Sequence, residues 1–337
     1  MKNNTFALGV AVLVVGLLTA CGSDIPEYKA KLMVETQPVQ HLQYDRYEEV
    51  LFNLDTADFA QQLKSLQQQY RPFLDGDLDQ PEAVRYLKDF AIDPFSIHLY
   101  QKVEQRFPNL DEVSDIVEGV YNHFHYYFPD IELPSRVFTC VSGINPDIPP
   151  VLVDDDALVI SLDWYLDGDV VYEQIGMPQY RARRTYVAGL AKDLGLLLHE
   201  IYVDRDTKRG CLLEEMIDAG RKVFFVEALC PHLADSVLLG YSSSQMDWAD
   251  DNEGNLWADM VGNQYLYSSN PELYRTFLSD GPFTNEYSHE APPRLGEYVG
   301  LHIVRSYMNT HAVSLQELLF ADDLQEIFLD SHYKPKK

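Results

Sequence analysis

The sequence predicts an α+β fold, mainly α, in which a small central β-sheet is followed by a helix pair. Three observations predict it. Apolar residues recur at helical spacing over most of the chain after Tyr47, as in Val113, Ile116, Val117, Val120 and Phe124. Two short runs, residues 136–141 and 157–162, are instead rich in β-branched and aromatic residues. Two further helical segments, residues 181–202 and 211–229, follow the second run and are joined by a charged turn. At 337 residues and 46% apolar content the chain can bury a sizeable core.

The elements follow from the N-terminus. Lys2 precedes an unbroken apolar and small-residue run over residues 6–18, which ends in Leu18-Thr19-Ala20-Cys21. As a helix that run spans roughly 20 Å, short of the roughly 30 Å hydrocarbon core of a bilayer. It reads as a secretory signal, residues 1–20, and the four-residue ending resembles a bacterial lipobox. Cys21 is then the lipidation site, its thiol carrying diacylglycerol and the new N-terminus a further acyl chain such as palmitate. Two or three chains hold a protein stably on a membrane where one would not. Residues 21–43 are polar and aperiodic and read as a tether, with residues 44–337 as a single soluble domain.

Within that domain, residues 59–70 form a Gln-rich amphipathic helix before Pro72, and residues 110–128 a longer one stopped by Pro129. The two strand candidates enclose a Pro- and Asp-rich loop. Residues 244–265 form a long amphipathic stretch with a possible break at Gly254, and Asn270-Pro271 reads as an N-cap with proline at the first helical position. Gly296 and Gly300, four apart, would let a helix over residues 295–308 pack closely, and Ser314 with Glu317 reads as a capping box.

Composition bounds the function. A formal charge of -27 leaves no basic face for nucleic acid or for anionic headgroups, so membrane attachment falls to the lipid. Cys140, Cys211 and Cys230 allow one bridge at most. Cys211 and Cys230 flank a helix about 28 Å long, beyond the roughly 7 Å reach of a disulfide, so buried thiols are expected.

No complete catalytic set is legible. His199-Glu200 begins like H-E-x-x-H, but position 203 is Val203, and no two of the ten histidines stand four apart. His199 then reads as a last-turn residue favoured by the helix dipole. His123 and His125 would share a face on a strand but not on the helix predicted there. Asp154, Asp155 and Asp156 lack EF-hand spacing and read as a solvated loop. Asp247, Asp250, Asp251 and Glu253 read as a solvated helix face or a short exposed turn, and Glu214, Glu215 and Asp218 as acids near the positive dipole end of the second helix of the pair. Ser142 and Ser161 lack nucleophile-elbow neighbours, no phosphate loop appears, and Cys140 reads as a buried thiol. No cofactor and no metal site is expected. The loop over residues 279–293, with His289 and Glu290, is long, polar and aromatic enough to line a functional face.

Several segments carry a family resemblance. HYYFPDIELP (residues 125–134), VISLDWYLDGD (159–169), MPQYRARR (177–184), GYSSSQMDW (240–248), APPRLGEYVGLHIVRSYM (291–308) and the ending EIFLDSHYKPKK follow the lipobox in order. The chain resembles the gliding-motility lipoprotein GldB family of the Bacteroidetes over nearly its whole mature length. The resemblance implies a cell-envelope lipoprotein that supports gliding or type IX secretion through envelope protein partners, with no enzymatic activity attached. The family is distantly similar to predicted zinc-dependent peptidases, which implies a zincin-like core, with Asp218 at the place of an acidic ligand. The histidines of that core are missing here. The expectation is therefore a non-catalytic protein, with a divergent hydrolase or a glycan- or peptide-binding module as alternatives.

Overall fold

The computed structural model describes residues 25–38, 41–154, 156–168, 172, 175–205 and 208–336. The signal segment and Cys21 lie outside them. Four strands form one sheet in the order β1-β2-β4-β3: β1 Gln43–Arg46, β2 Arg136–Cys140, β3 Val151–Asp154 and β4 Ala157–Ser161. β1, β2 and β4 run parallel, and β3 returns antiparallel along β4 with Asp154 opposite Ala157. The longer helices are α1 Glu27–Leu32, α2 Tyr47–Phe52, α3 Phe59–Leu66, α4 Pro81–Ile92, α5 Pro94–Arg106, α6 Asp111–Tyr127, α7 Gly189–Leu198, α8 Leu212–Leu229, α9 Ser243–Gly262, α10 Pro271–Leu278, α11 Leu295–Thr310 and α12 Leu324–Ser331. The mainly α, α+β expectation holds, with the sheet ahead of the α7–α8 pair.

Strand alternation explains why the sheet is buried on both faces. Val137 with Leu158 and Ile160 point into the large helical core, whereas Phe138 and Cys140 with Ala157 and Val159 point into a smaller cluster. That smaller cluster is built by Tyr47 and Leu51 of α2 and Phe59 and Leu63 of α3. Both faces therefore need apolar residues, which is why β2 and β4 read as near-continuous apolar runs. The ends of β2 and β4 are tied by Asp163. Its buried carboxylate accepts from the Ser142 backbone N–H at 3.0 Å and the Ile144 N–H at 2.9 Å, across a turn with Gly143 and Ile144 at positive φ.

α8 is buried on nearly every side and forms the axis of the large core. α11 crosses it where Gly300 meets Met216 and Gly220. A Cβ on either glycine would fall on backbone atoms of the other helix. The Gly296/Gly300 strip thus does what its spacing predicts.

Several expectations need correction. Within the stretch read as a tether, α1 docks on the core: Lys29 pairs with buried Glu227 at 2.7 Å, and the Tyr28 ring meets Phe224 at 6.0 Å. Residues 43–46, at its end, are strand β1. The loop between the two predicted strands holds a strand of its own, β3, because β4 offers it a free edge; Asp154 is its last residue, Asp156 is an exposed turn residue, and Asp155 lies outside the described residues. The predicted single helix over residues 181–202 is a turn at Gln179–Ala182, then α7, then a π-helical turn at His199–Val203. α9 passes through Gly254 without a break. Glu253, expected in solvent, is 1% exposed, because its carboxylate accepts from Tyr333 Oη at 2.7 Å and meets His302 Nδ1 at 2.9 Å. Those partners come from α11 and the C-terminal segment, so local pattern could not announce them. Among the described residues no helix is long and apolar enough to cross a membrane.

Candidate functional site

Three segments distant in sequence meet on one side of the α7–α8 pair: residues 177–184, 240–248 and 291–300. The contact is built by arginines that span loops. Arg184 donates from Nε to the Gly240 carbonyl at 3.1 Å and from Nη1 to Asp280 at 2.8 Å. Arg294 sits at φ 56° just before α11, donates to Glu297 at 2.9 Å and also bonds the Leu239 carbonyl. Tyr241 Oη donates to the Pro293 carbonyl at 2.7 Å. Gly240 adopts φ 67°, ending the single turn Asp235–Leu239, and a Cβ there would press on Arg184 at 3.1 Å.

Between these segments lies a groove of three adjoining cavities that share lining residues. The inner one, about 350 Å³, is lined by Lys192 and Asp193 of α7, Lys222 of α8, and Arg184, Arg294 and Glu297. The middle one, about 410 Å³, shares Arg184, Tyr186 and Gly240 with it and adds Tyr180 and Arg183. The outer one, about 620 Å³, runs from Tyr180 and Arg183 to Trp248, Phe283, His289 and Glu290. The loop over residues 279–293 therefore does line this face, and its own bonds hold it in shape. Thr284 Oγ1 donates to the Pro292 carbonyl at 2.7 Å, and Phe283 meets His289 edge-on at 4.4 Å.

The electrostatics centre on α7. Lys192 and Asp193 are the only charged residues of a helix that is otherwise apolar or glycine. Tyr165 Oη donates to Asp193 at 2.8 Å, and burial pushes the Asp193 carboxyl upward. Burial, together with the Arg294 guanidinium, pushes the Lys192 ammonium down to about 8. Its Nζ has no hydrogen-bond or ion-pair partner among the described residues, whereas Arg184 and Arg294 each hold a carboxylate. The groove can therefore receive an anionic group at its inner end and aromatic or backbone contacts further out.

The residues singled out by sequence fall elsewhere. His199 is buried edge-on against Phe225 at 5.4 Å, and Glu200 is exposed. Asp218 is held by Arg209 and Arg221, each at 2.7 Å, and these pairs with Lys222 keep its carboxyl below the usual range despite burial. His123 and His125 lie on α6, where His123 Nδ1 bonds the Gly119 carbonyl. Cys140 on β2 and Cys211 and Cys230 at the two ends of α8 are free thiols; the first two are buried as expected, whereas Cys230 is half-buried. Among the described residues no three His, Cys, Asp or Glu side chains converge in a metal-binding group. Sequence reasoning missed Lys192, Arg183, Arg184 and Arg294. The two charges inside the apolar stretch of α7 were the available signal.

Burial pushes the His199 imidazole down to about 4, with Lys222 adding to the effect. An unfolded histidine titrates near 6.5, so between those values the unfolded chain binds the extra proton. The stability that neutral His199 provides is complete above about pH 6.5 and is lost as pH falls towards 4. The loss amounts to about 3 kcal/mol. Denaturant unfolding of wild-type and His199→Phe protein at pH 7 and pH 4.5 should show a slope that flattens in the variant.

A mainly helical α+β body with an open cationic and aromatic groove is the class that fold and site define. The chain belongs to the gliding motility protein GldB family, whose model matches residues 29–335, and it is a gliding-motility-associated protein. The matched span holds the whole groove. No curated protein and no solved structure matches the chain, so the zincin-like core rests on the distant peptidase resemblance alone.

Proposed function

We propose that the protein is a non-catalytic envelope lipoprotein, anchored through Cys21, that supports gliding motility or type IX secretion by holding a protein partner in the groove. The observation that carries this reading is the convergence of residues 177–184, 240–248 and 291–300, three of the segments on which the family resemblance rests, in one open groove. Such a groove offers contact surface, and its polar groups are mostly committed to holding the loops together. Anchoring by lipid suits a body with a net charge of -27, which anionic headgroups repel. The docking of α1 from Glu27 bounds the reach of the anchor: six residues beyond Cys21 span at most about 20 Å, so the body works close to its membrane. The hydrolase alternative draws nothing from Asp218, whose carboxylate is engaged by three cations. The peptide-binding alternative coincides with this reading, since its aromatic surface is the groove wall. Complementation of a strain lacking the gene tests it, with Arg183→Glu and Lys192→Glu combined in the groove. Spreading should be lost while the protein stays in the membrane fraction, and unimpaired spreading would contradict the proposal.

A further inference from the structure

We infer that the groove takes an extended peptide segment whose carboxylate is received by Lys192. The inference deepens the proposed function and rests on its placement of the partner in the groove. Among the four cations of the inner cavity, Arg184 is matched by Asp280 at 2.8 Å and Arg294 by Glu297 at 2.9 Å. Lys222 leans on Asp218 and Asp204 at 3.6 and 3.7 Å. Lys192 alone makes no close ion pair among the described residues, although it is partly buried in a chain of net charge -27; Asp193, bonded to Tyr165, and Glu297, paired with Arg294, act on it only at longer range. An ammonium partly withdrawn from water and without a close partner is destabilised, and a carboxylate arriving from outside offsets that cost.

The charge balance selects the ligand. Of the four cations lining the inner cavity, Arg184, Arg294 and Lys222 already have carboxylates within ion-pair distance, and the single remaining ammonium suits a monoanion. A phosphate monoester brings about 1.5 to 2 negative charges and would leave excess negative charge. A polyanion would meet the repulsion of the whole acidic body. The row of adjoining cavities favours a chain over a small metabolite. Beyond the inner cavity lie two more, with Arg183, which is exposed and has no ion pair among the described residues, and with the rings of Tyr180, Trp248 and Phe283. Such rings take up the backbone and apolar side chains of an extended segment.

Fluorescence anisotropy on the full lipoprotein in detergent micelles tests the inference. The probes are fluorescein-labelled, C-terminally amidated octapeptide pools with a fixed central Glu, Gln or phosphoserine and mixed flanking residues. The Glu pool should bind at least tenfold more tightly than the Gln pool. Lys192→Gln should erase that preference, Lys192→Arg should keep it, and the exposed Arg183→Gln should reduce Glu-pool affinity about threefold. Equal binding of the Glu and Gln pools would overturn the inference, as would a preference that survives Lys192→Gln or tighter binding of the phosphoserine pool. Arg183→Gln guards against a Lys192→Gln protein that fails to fold, since an exposed residue changes without disturbing the core. If spreading needs the groove but the Glu pool shows no preference, the partner site stands and the carboxylate assignment falls.

Discussion

Gly300→Leu should yield no folded protein, and Gly300→Ala should cost about 3 kcal/mol or more, the upper end for overpacking. The reason is the kind of atom that a new Cβ would meet. At Gly300 it would fall on the Met216 carbonyl, and at Gly220 on the Gly300 carbonyl and the Leu301 nitrogen. Backbone in the middle of two buried helices cannot swing aside as a side-chain end can. One turn earlier, at Gly296, the nearest atoms are Leu278 Cδ2 and Phe277 O at 2.9 Å, so some of the strain can be relieved by a side chain. At Gly262, the last residue of α9, nothing lies within 4 Å. Chemical denaturation of the three alanine variants should therefore rank Gly300 as worst, Gly296 next and Gly262 as near neutral. A Gly300→Ala protein as stable as Gly262→Ala would show that α8 and α11 do not cross there.

Glu227→Ala should cost about 3–5 kcal/mol, the range for breaking a buried ion pair from one side. The Glu227 carboxylate is wholly buried and joins two elements: one oxygen meets Lys29 of α1 at 2.7 Å and the other meets Nε of Arg305 on α11 at 2.8 Å. Arg305 also holds Asp235 through both terminal nitrogens, at 2.6 and 2.7 Å. Burial works against the Asp235 charge, yet Arg305 keeps its carboxyl below the usual range. Removing Glu227 strands part of this guanidinium away from water and releases Lys29 from its ion pair. Lys29→Ala, by contrast, removes the more exposed partner and leaves Glu227 paired with Arg305. Urea unfolding should place Lys29→Ala several-fold below Glu227→Ala in cost. Equal costs would mean that the buried carboxylate is not the hub of this network.

What the sequence discloses follows the range of the interactions. Helices α6 and α8, the two inner strands and the caps at Ser314 and Asn270 are legible because their signals lie within a few residues of one another. β1, with the sequence QYDR, carries no strand signal of its own and exists because β2 offers a parallel edge. Glu253 looks solvated from its neighbours in α9, and only α11 and the C-terminal segment reveal its burial. The glycine pair on α11 is visible at its spacing of four, whereas its partner Gly220 is one glycine among many. The candidate site shows the same division. The loop over residues 279–293 declares itself by length and composition, and it does line the groove. Arg184, Lys192 and Arg294 come from three separate segments; the two arginines look like ordinary surface cations until the chain is folded, and only Lys192, inside an apolar helix, stands out beforehand.

The proposed function has a membrane-held body working through its groove. Its most direct test is colony spreading by a deletion strain complemented with the Arg183→Glu, Lys192→Glu double variant, scored beside the amount of that protein in the membrane fraction. Wild-type protein should restore spreading, and Cys21→Ser, as the control, should leave the membrane. The double variant should reach wild-type membrane levels and restore no spreading. Full spreading at those levels would contradict the account.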